Sequence, residues 1–285
     1  MGHSFLLILA YVKLNWKIGH TTAKKPYLNP VAIKPVPYQQ EKSTMQTFDE
    51  QQPLTTIATD AENQALIARW QQVKTDVARF NPTVKLLAVS KTKPNWMIRT
   101  LAQQGQQDFG ENYVQEAVTK IAALKDVTAN EQPLVWHYIG HIQRNKTKEL
   151  AGHFDWVHGV DRLIIAQRLN GQRGEHLPPL NICIEVNIDD EASKSGCQPD
   201  QLPELVTKIS QLPNLQLRGL MIIPAKNSAS AFVKTQQLFE QNKRYHAHPE
   251  QWDTLSMGMS GDIEQAITAG ATIVRIGTAI FGARN

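Results

Sequence analysis

Eight short apolar segments alternate with helical segments along this chain, and the alternation limits the possible folds more than any other feature. The apolar segments are rich in β-branched residues and show little polar alternation, which is typical of strands covered on both faces. The predicted strands span residues 84–89, 107–110, 134–139, 154–158, 180–187, 215–223, 252–256 and 271–276. The predicted helices between them lie near residues 94–104, 112–125, 144–151, 161–171, 200–211, 228–247 and 262–269.

The connections between these strands predict the fold class. Each is long enough for a right-handed crossover between parallel strands. Eight such units in about 200 residues are what a compact (β/α)₈ barrel needs. A doubly wound open sheet is the alternative, but no Gly-x-Gly-x-x-Gly follows the first strand. We therefore predict an α/β protein with a single TIM-type (β/α)₈ barrel.

A further helix is predicted ahead of the first strand. Thr59 and Glu62 have the spacing of a capping box, and Asn81-Pro82 ends the helical pattern. Apolar residues behind the cap recur at spacings of three and four, as on one stripe of a helix. We expect this leading helix to cover the sheet that begins at Val84.

Residues 1–44 do not fit the barrel pattern. The apolar stretch from Ser4 to Val12 is too short to span a bilayer and has no basic region ahead of it. Four prolines between residues 26 and 37 disfavour both helix and sheet. Because Met45 can serve as a start codon, we expect residues 1–44 to be a mis-called extension or a disordered tail, with weak membrane-surface contact as the alternative. The domain then covers residues 45–285.

Charge and cysteine usage limit the functional classes. The chain carries a formal net charge of +4, and residues 1–44 alone carry +5, so residues 45–285 sum to −1. A basic groove for nucleic acid is therefore not expected in the folded part. The two cysteines, Cys183 and Cys197, have no metal-ligand spacing, which favours reduced thiols, no metal site and a cytoplasmic location.

Polar and glycine residues collect where the predicted strands end, at the end of a barrel where active sites form. Lys91 comes directly after the first strand. A desolvated lysine at that position has a lowered pKa, and its neutral amine can form a Schiff base with an aldehyde. Taken alone, Lys91 and the nearby Lys93 could equally be solvated loop lysines.

The loops after the seventh and eighth strands have the composition of a phosphate site. Ser256, Gly258, Ser260 and Gly261 precede one predicted helix, and Gly277-Thr278 begins another. Glycines let backbone amides approach an anion, and helix N-termini carry partial positive charge. In a closed barrel Lys91 lies beside these loops, so the pattern favours a phosphate ligand that carries an aldehyde, such as pyridoxal 5′-phosphate (PLP).

Several long motifs then resemble one family. The stretches LLAVSKTKP, FGENYVQE, WHYIGHIQRNK, GLMIIPA, LSMGMSGDIEQAI and VRIGTAIFGAR are similar to the YggS/PROSC family of pyridoxal phosphate homeostasis proteins. The resemblance runs from about residue 57 to the C-terminus. It implies one barrel like the N-terminal domain of alanine racemase, without that enzyme's second domain. The sequence departs from the family pattern at His141 and at Gly261.

The resemblance also implies how PLP is held. Lys91 is then the Schiff-base lysine, Asn112 lies beside the cofactor, Met221 packs near the ring, and Arg275 faces the pyridine nitrogen. The phosphate is expected among four residues of the last two loops, which are Ser256, Ser260, Gly277 and Thr278. His137, at the end of the third strand, is a candidate to orient Arg275.

Arg275 affects which reactions a bound PLP can undergo. A guanidinium cannot accept a proton, so beside the pyridine nitrogen it disfavours the protonated ring that carbanion chemistry needs. We therefore expect a monomeric carrier or buffer of PLP with no catalytic residues, which meets PLP-dependent apoenzymes transiently. A PLP-dependent amino-acid racemase is the alternative, and a nucleic-acid or membrane binder is a third class.

Overall fold

The eight predicted strands close into a parallel barrel in the computed structural model, which describes residues 58–191, 194–225 and 228–283. The strands are β1 (Lys85–Val89), β2 (Asp108–Glu111), β3 (Thr128–Ala129), β4 (Gln132–Pro133), β5 (Val135–Tyr138), β6 (Trp156–Val160), β7 (Leu180–Glu185), β8 (Leu215–Met221), β9 (Thr254–Ser256) and β10 (Ile273–Ile276). The helices are α1 (Asp60–Phe80), α2 (Asn95–Gln103), α3 (Val114–Ala123), α4 (Thr147–His153), α5 (Leu163–Gln172), α6 (Leu202–Ile209), α7 (Ala229–Asn242), α8 (Ile263–Thr268) and α9 (Thr278–Phe281).

The order around the barrel is β1-β10-β9-β8-β7-β6-β5-β2, and β2 pairs with β1 to close it. The closing register between the first and last strands pairs Ala88 with Ile276. A single closed sheet with helices between its strands confirms the (β/α)₈ prediction and excludes the open sheet for the described residues. The sequence boundaries agree with the structure to within a few residues, because each strand is a short apolar run between polar segments.

One pair of strands was not expected from the sequence. β3 and β4 form a two-stranded antiparallel ladder outside the barrel, between α3 and β5. The turn residues Asn130 and Glu131 both have positive φ angles, 50° and 63°, as a type I′ hairpin turn requires. Two-residue strands carry too few side chains for a periodic signal, so the pattern did not predict this hairpin.

Helix α1 begins with the predicted capping box, in which Thr59 and Glu62 each bond the other's backbone N–H. Its backbone lies closest to the helices α2, α8 and α9, and its buried side chains belong to the same apolar cluster as Val84 and Ala88 at the first strand. Two side chains fix its position. Arg69 donates to the Ile280 carbonyl at 2.8 Å, and Trp70 donates to Gln106 at 2.8 Å.

Two apolar clusters stabilise the barrel. The larger one fills the space between the sheet and the helices, as in other barrels of this type. The smaller one lies inside the barrel and consists of Leu87, Val89, Ile139, Trp156, Cys183, Met221 and Ile273. The interior also holds buried polar side chains, among them His137, His158, Ser256 and Arg275.

The described residues belong to one compact unit. Within the part of the chain that the structure describes, no helix is both long enough and apolar enough to cross a membrane. The expectation for residues 1–44 lies outside the described residues, and so does the exact start of the domain.

Candidate functional site

The strand order brings all eight site residues predicted from the sequence to five neighbouring strands, β8-β9-β10-β1-β2. Three of them lie within the last positions of strands, four lie in the loops that follow, and one is the first residue of α9. In strand order they are Met221, Ser256, Ser260, Arg275, Gly277, Thr278, Lys91 and Asn112. All are therefore at the carboxyl end of the barrel, which we call the mouth.

Lys91 lies in a tight turn directly after β1 and is half-buried. The turn is closed by a hydrogen bond of 3.0 Å from the Lys93 amide to the Ser90 carbonyl. Its next residue, Thr92, has a φ angle of 61°, in the left-handed region that few residues other than glycine adopt. Such a conformation costs about 1 kcal/mol or more and persists only where neighbouring groups enforce it.

Helix α3 supplies those groups. The Lys120 ammonium donates to the Ser90 carbonyl at 2.7 Å, and the Thr92 amide donates to the Glu116 carboxylate at 2.6 Å. The residues on both sides of Lys91 are thereby tied to one helix. We infer that α3 fixes the direction in which the Lys91 side chain extends from the end of β1.

The same contacts belong to a buried charged cluster, the lysine-turn network, formed by Ser90, Glu111, Glu116 and Lys120. Glu111 accepts from the Ser90 hydroxyl at 2.6 Å and from Lys120 at 2.9 Å, and Lys120 also pairs with Glu116 at 2.6 Å. Burial raises the pKa of Glu111 above its ordinary value, and the Lys120 charge opposes the rise. One ammonium therefore stabilises two carboxylates beneath the Lys91 turn.

The loop after β10 lies beside the end of β1, and the loop after β9 is the next one around the mouth. Gly277, at the start of α9, is so close to β1 that a Cβ atom added to it would lie 3.3 Å from the Val89 carbonyl oxygen. Thr278 and Ser260 are exposed at the rim. Asp262 does not cap α8 through its side chain but accepts instead from the Met259 amide, which tightens the loop that carries Ser260.

Arg275 is buried at the base of the mouth. Its guanidinium donates to the Ser256 hydroxyl at 2.9 Å, to the Ser256 carbonyl, and to the Ile222 carbonyl at 2.7 Å. Burial lowers the pKa of Arg275 to about 10, which still leaves it a cation at neutral pH. The Ser256 hydroxyl is also bonded to His158 at 2.8 Å, so its hydrogen bonds to His158 and Arg275 both lie below the mouth.

A cavity of about 170 Å³ opens beside Asn112 and is lined by Ile139, Glu185, Lys194 and Ile223 among other residues. The Asn112 side-chain oxygen is buried and has no hydrogen-bond partner among the described residues. Gly140 borders the same space, and a Cβ atom there would lie 2.5 Å from the Asn112 carbonyl oxygen. Only glycine allows this close approach, so the β5 loop packs directly against Asn112.

Glu185, at the end of β7, is the titratable group of this cavity with the most altered acidity. Burial, together with the nearby Asp161 carboxylate, raises the pKa of Glu185 to about 7, although Arg275 opposes the rise. A carboxyl group whose pKa is raised by folding contributes less to the free energy of unfolding as the pH rises, because its ionised form is disfavoured in the folded state. That loss begins near its ordinary pKa of 4.5 and is complete above about 7.

We therefore expect Glu185→Gln to remove this pH dependence. Relative to the wild type, the variant gains about 2 kcal/mol of unfolding free energy between pH 5 and pH 8, from a shift worth about 1.4 kcal/mol per unit. Urea unfolding of both proteins at several pH values measures the difference. If the two stability curves run parallel across this range, the raised pKa of Glu185 is wrong.

Sequence reasoning missed the residues that support the site from below. His137 is linked to Arg275 only through His158 and Ser256, and Glu116 and Lys120 were not among the candidate site residues. Polar residues inside apolar strands were the available signal, although it could not give their partners. The two residues that depart from the family pattern are both exposed. His141 bonds the Ser195 hydroxyl at 2.9 Å, and Gly261 has open space around it.

Comparisons with known proteins show the family and the fold. Residues 62–285 match the model of the family described as alanine racemase, N-terminal domain. A protein of Pseudomonas aeruginosa named pyridoxal phosphate homeostasis protein is 52% identical over 236 residues, which cover 80% of this chain and 97% of that protein.

Solved structures give the same result. PipY of Synechococcus elongatus, solved with PLP bound, is 36% identical with a TM-score of 0.63 and covers 76% of this chain and 100% of its own. Alanine racemase of Corynebacterium glutamicum is 14% identical with a TM-score of 0.57 and covers 77% of this chain and 61% of its own. The racemase is similar in fold alone.

Proposed function

The chain belongs to the family of pyridoxal phosphate homeostasis proteins, and on that premise we propose that it binds PLP covalently through Lys91 and carries it without catalysing a reaction. The observation that supports this most is the parallel pairing of β1 with β10, with Ala88 opposite Ile276. Lys91 lies three residues beyond Ala88, and α9 begins two residues beyond Ile276, so the two leave the barrel side by side. An amine and an anion-binding loop then share one mouth.

Each part of the mouth has a role in this proposal. Bound PLP would supply an aldehyde, and Lys91 would hold it there through its side-chain amine. Ser260, Gly277 and Thr278 bind the phosphate through hydroxyl and backbone donors. Met221, which is buried at the end of β8, packs against the ring.

The unpartnered Asn112 oxygen supports the fit of such a ligand. A buried acceptor without a donor is unfavourable, and a polar ligand in the adjoining cavity supplies one. Ser256 is assigned a place beneath the ring rather than at the phosphate, because its hydroxyl is already bonded to His158 and Arg275.

Arg275 supports a carrier rather than a racemase. PLP supplies an aldehyde for attachment and a ring that can withdraw electrons, most strongly when its nitrogen is protonated. The three acceptors that hold Arg275 are uncharged, so its positive charge remains directed at the mouth. A fixed cation beside the ring nitrogen disfavours protonation there, and electron withdrawal stays weak.

The setting of the carrier is part of the same proposal. It acts as a cytoplasmic monomer that meets apoenzymes transiently, which is consistent with two buried free cysteines. Three exposed apolar side chains, Tyr113, Ile223 and Met259, follow β2, β8 and β9 at the mouth and offer a small surface for such encounters.

Borohydride reduction of the PLP-loaded protein tests the proposal. Hydride reduces the carbon–nitrogen double bond to a stable secondary amine, and mass spectrometry of the peptides locates it. We expect one adduct, on Lys91, transfer of unreduced PLP to an added apoenzyme, and no racemisation of free amino acids. An adduct confined to another lysine, such as Lys194, contradicts the assignment. Racemisation at an enzyme-like rate of about 10 s⁻¹ contradicts the carrier.

A further inference from the structure

A continuous chain of hydrogen bonds crosses the inside of the barrel from Asp108, at the start of β2, to Arg275 at the mouth. Asp108 Oδ1 lies 2.9 Å from His137 Nε2, and His137 Nδ1 lies 2.9 Å from His158 Nε2. His158 Nδ1 lies 2.8 Å from the Ser256 hydroxyl, to which Arg275 donates at 2.9 Å. We call Asp108, His137, His158 and Ser256 the interior relay.

The proton positions at the Asp108 end are determined by charge. Lys85 bonds the same Asp108 oxygen at 2.7 Å. Burial raises the pKa of Asp108, but the bonds from His137 and Lys85 outweigh it and leave the pKa lowered. Burial lowers the pKa of His137, which is therefore neutral. Because an ionised carboxylate can only accept, His137 must carry its proton on Nε2.

The same reasoning continues to the mouth. His137 Nδ1 is then an acceptor, so His158 must donate to it from Nε2. Burial also lowers the pKa of His158 far below its ordinary value, and its other nitrogen is an acceptor for the Ser256 hydroxyl proton. The Ser256 hydroxyl proton thus points away from Arg275, and the lone pairs of its oxygen face the guanidinium.

The ring planes are held as well as the protons. Trp156 stacks on His137 with ring centroids 5.4 Å apart and planes 11° apart, and both histidines are fully buried. A rotated imidazole would exchange its donor and acceptor positions and reverse every bond beyond it. A reversed relay would direct a histidine N–H at Ser256 and free the hydroxyl proton to face Arg275.

We propose that Asp108 is a positioning residue for Arg275. By fixing the tautomers of His137 and His158, it keeps the Ser256 hydroxyl an acceptor and holds the guanidinium in the orientation that faces the PLP ring. The last clause rests on the proposed function, whereas the tautomers are a property of the protein alone. Asp108 lies at the opposite end of the barrel from the mouth, beside a separate cavity of about 240 Å³.

The first test is ¹⁵N NMR of the full chain, labelled at histidine and free of cofactor. In the wild type and in Lys85→Met we expect both His137 and His158 to be neutral with the proton on Nε2. Asp108→Asn keeps this pattern, because Lys85 holds the amide oxygen toward His137, whereas Asp108→Leu loses it. A wild-type His158 protonated on Nδ1 overturns the proposal.

The second test is a double-mutant cycle on PLP affinity. Asp108→Leu and Ser256→Ala should each weaken binding by about tenfold, the scale of one hydrogen bond to a charged group, and the double variant no further. Lys85→Met and Asp108→Asn stay within about twofold of the wild type. Additive losses, or Asp108→Leu without effect on affinity, overturn the proposal.

Two controls keep the outcomes distinct. If Asp108→Leu does not fold, His137→Phe breaks the same link at similar volume and replaces it in the cycle. If the wild type binds no PLP, the proposed function fails, and the tautomer measurement still decides on the relay.

Discussion

Replacing Lys91 by methionine will abolish covalent capture of PLP while leaving the barrel folded. The amine is the attacking group, and methionine keeps the apolar length of the side chain without it. Absorbance in the visible range on adding PLP, and the borohydride-trapped adduct, should both disappear. The remaining non-covalent affinity should be weaker by about 100-fold, or about 3 kcal/mol, because only phosphate and ring contacts are left.

Lys93→Met is the matched control for this loss. Lys93 lies in the same turn, and its ammonium donates to the Ala283 carbonyl at 2.7 Å rather than into the mouth. The control should keep the visible absorbance and the adduct. If Lys91→Met retained the adduct and Lys93→Met lost it, the two lysines would have to exchange roles.

Replacing Lys120 by methionine will lower the free energy of unfolding by about 3 to 5 kcal/mol, the cost of removing one partner of a buried ion pair. Glu111 and Glu116 would then face each other without a cation, and the Ser90 carbonyl would lose its donor. Urea unfolding at pH 7 measures the loss. Because the turn loses one of its two bonds to α3, capture of PLP by Lys91 should also slow.

Two further variants separate this effect from a general one. Lys125→Met, at an exposed position just past the end of α3, should change stability by no more than about 0.5 kcal/mol. Adding Glu111→Gln to Lys120→Met removes one of the unpaired carboxylates and should restore part of the loss. A change below 1 kcal/mol in Lys120→Met, or no restoration in the double variant, would show that the network does not stabilise the turn.

The two lysines of this region illustrate how position decides chemistry. Lys91 is half-buried in a turn at the mouth, whereas Lys120 is buried between two carboxylates and holds that turn. Lys120 acts as a structural cation, because its side-chain nitrogen contacts Glu111, Glu116 and the Ser90 carbonyl. Under the proposed function, the covalent role belongs to Lys91, which lies at the mouth.

The support beneath Arg275 follows the same principle. Its guanidinium is held by uncharged oxygens, and Asp108 is linked to it only through three hydrogen-bonded residues, Ser256, His158 and His137. A carboxylate in direct contact would neutralise the arginine and reduce its effect on a pyridine nitrogen. A relay of neutral groups orients the guanidinium while leaving its charge at the mouth.

The sequence by itself determined the fold, and it predicted a lysine and an anion-binding loop as the two parts of the candidate site. Strand and helix periodicity depends on local alternation of apolar residues, so all eight barrel strands could be located before any contact was known. The capping box at Thr59 and Glu62 is equally local. Lys91 and the loops after the last two strands followed from the rule that barrel sites form at the carboxyl ends of strands.

Only the tertiary structure decided which side chains hold those two parts in place. Glu111, Glu116 and Lys120 converge on the Lys91 turn because α3 packs across it, and Asp108 reaches Arg275 because β2, β5, β6, β9 and β10 face one interior. These contacts join residues up to 98 positions apart in the chain, as His158 and Ser256 are. No local pattern encodes such pairs, since a hydrogen bond depends on distance and direction in space and not on separation along the sequence.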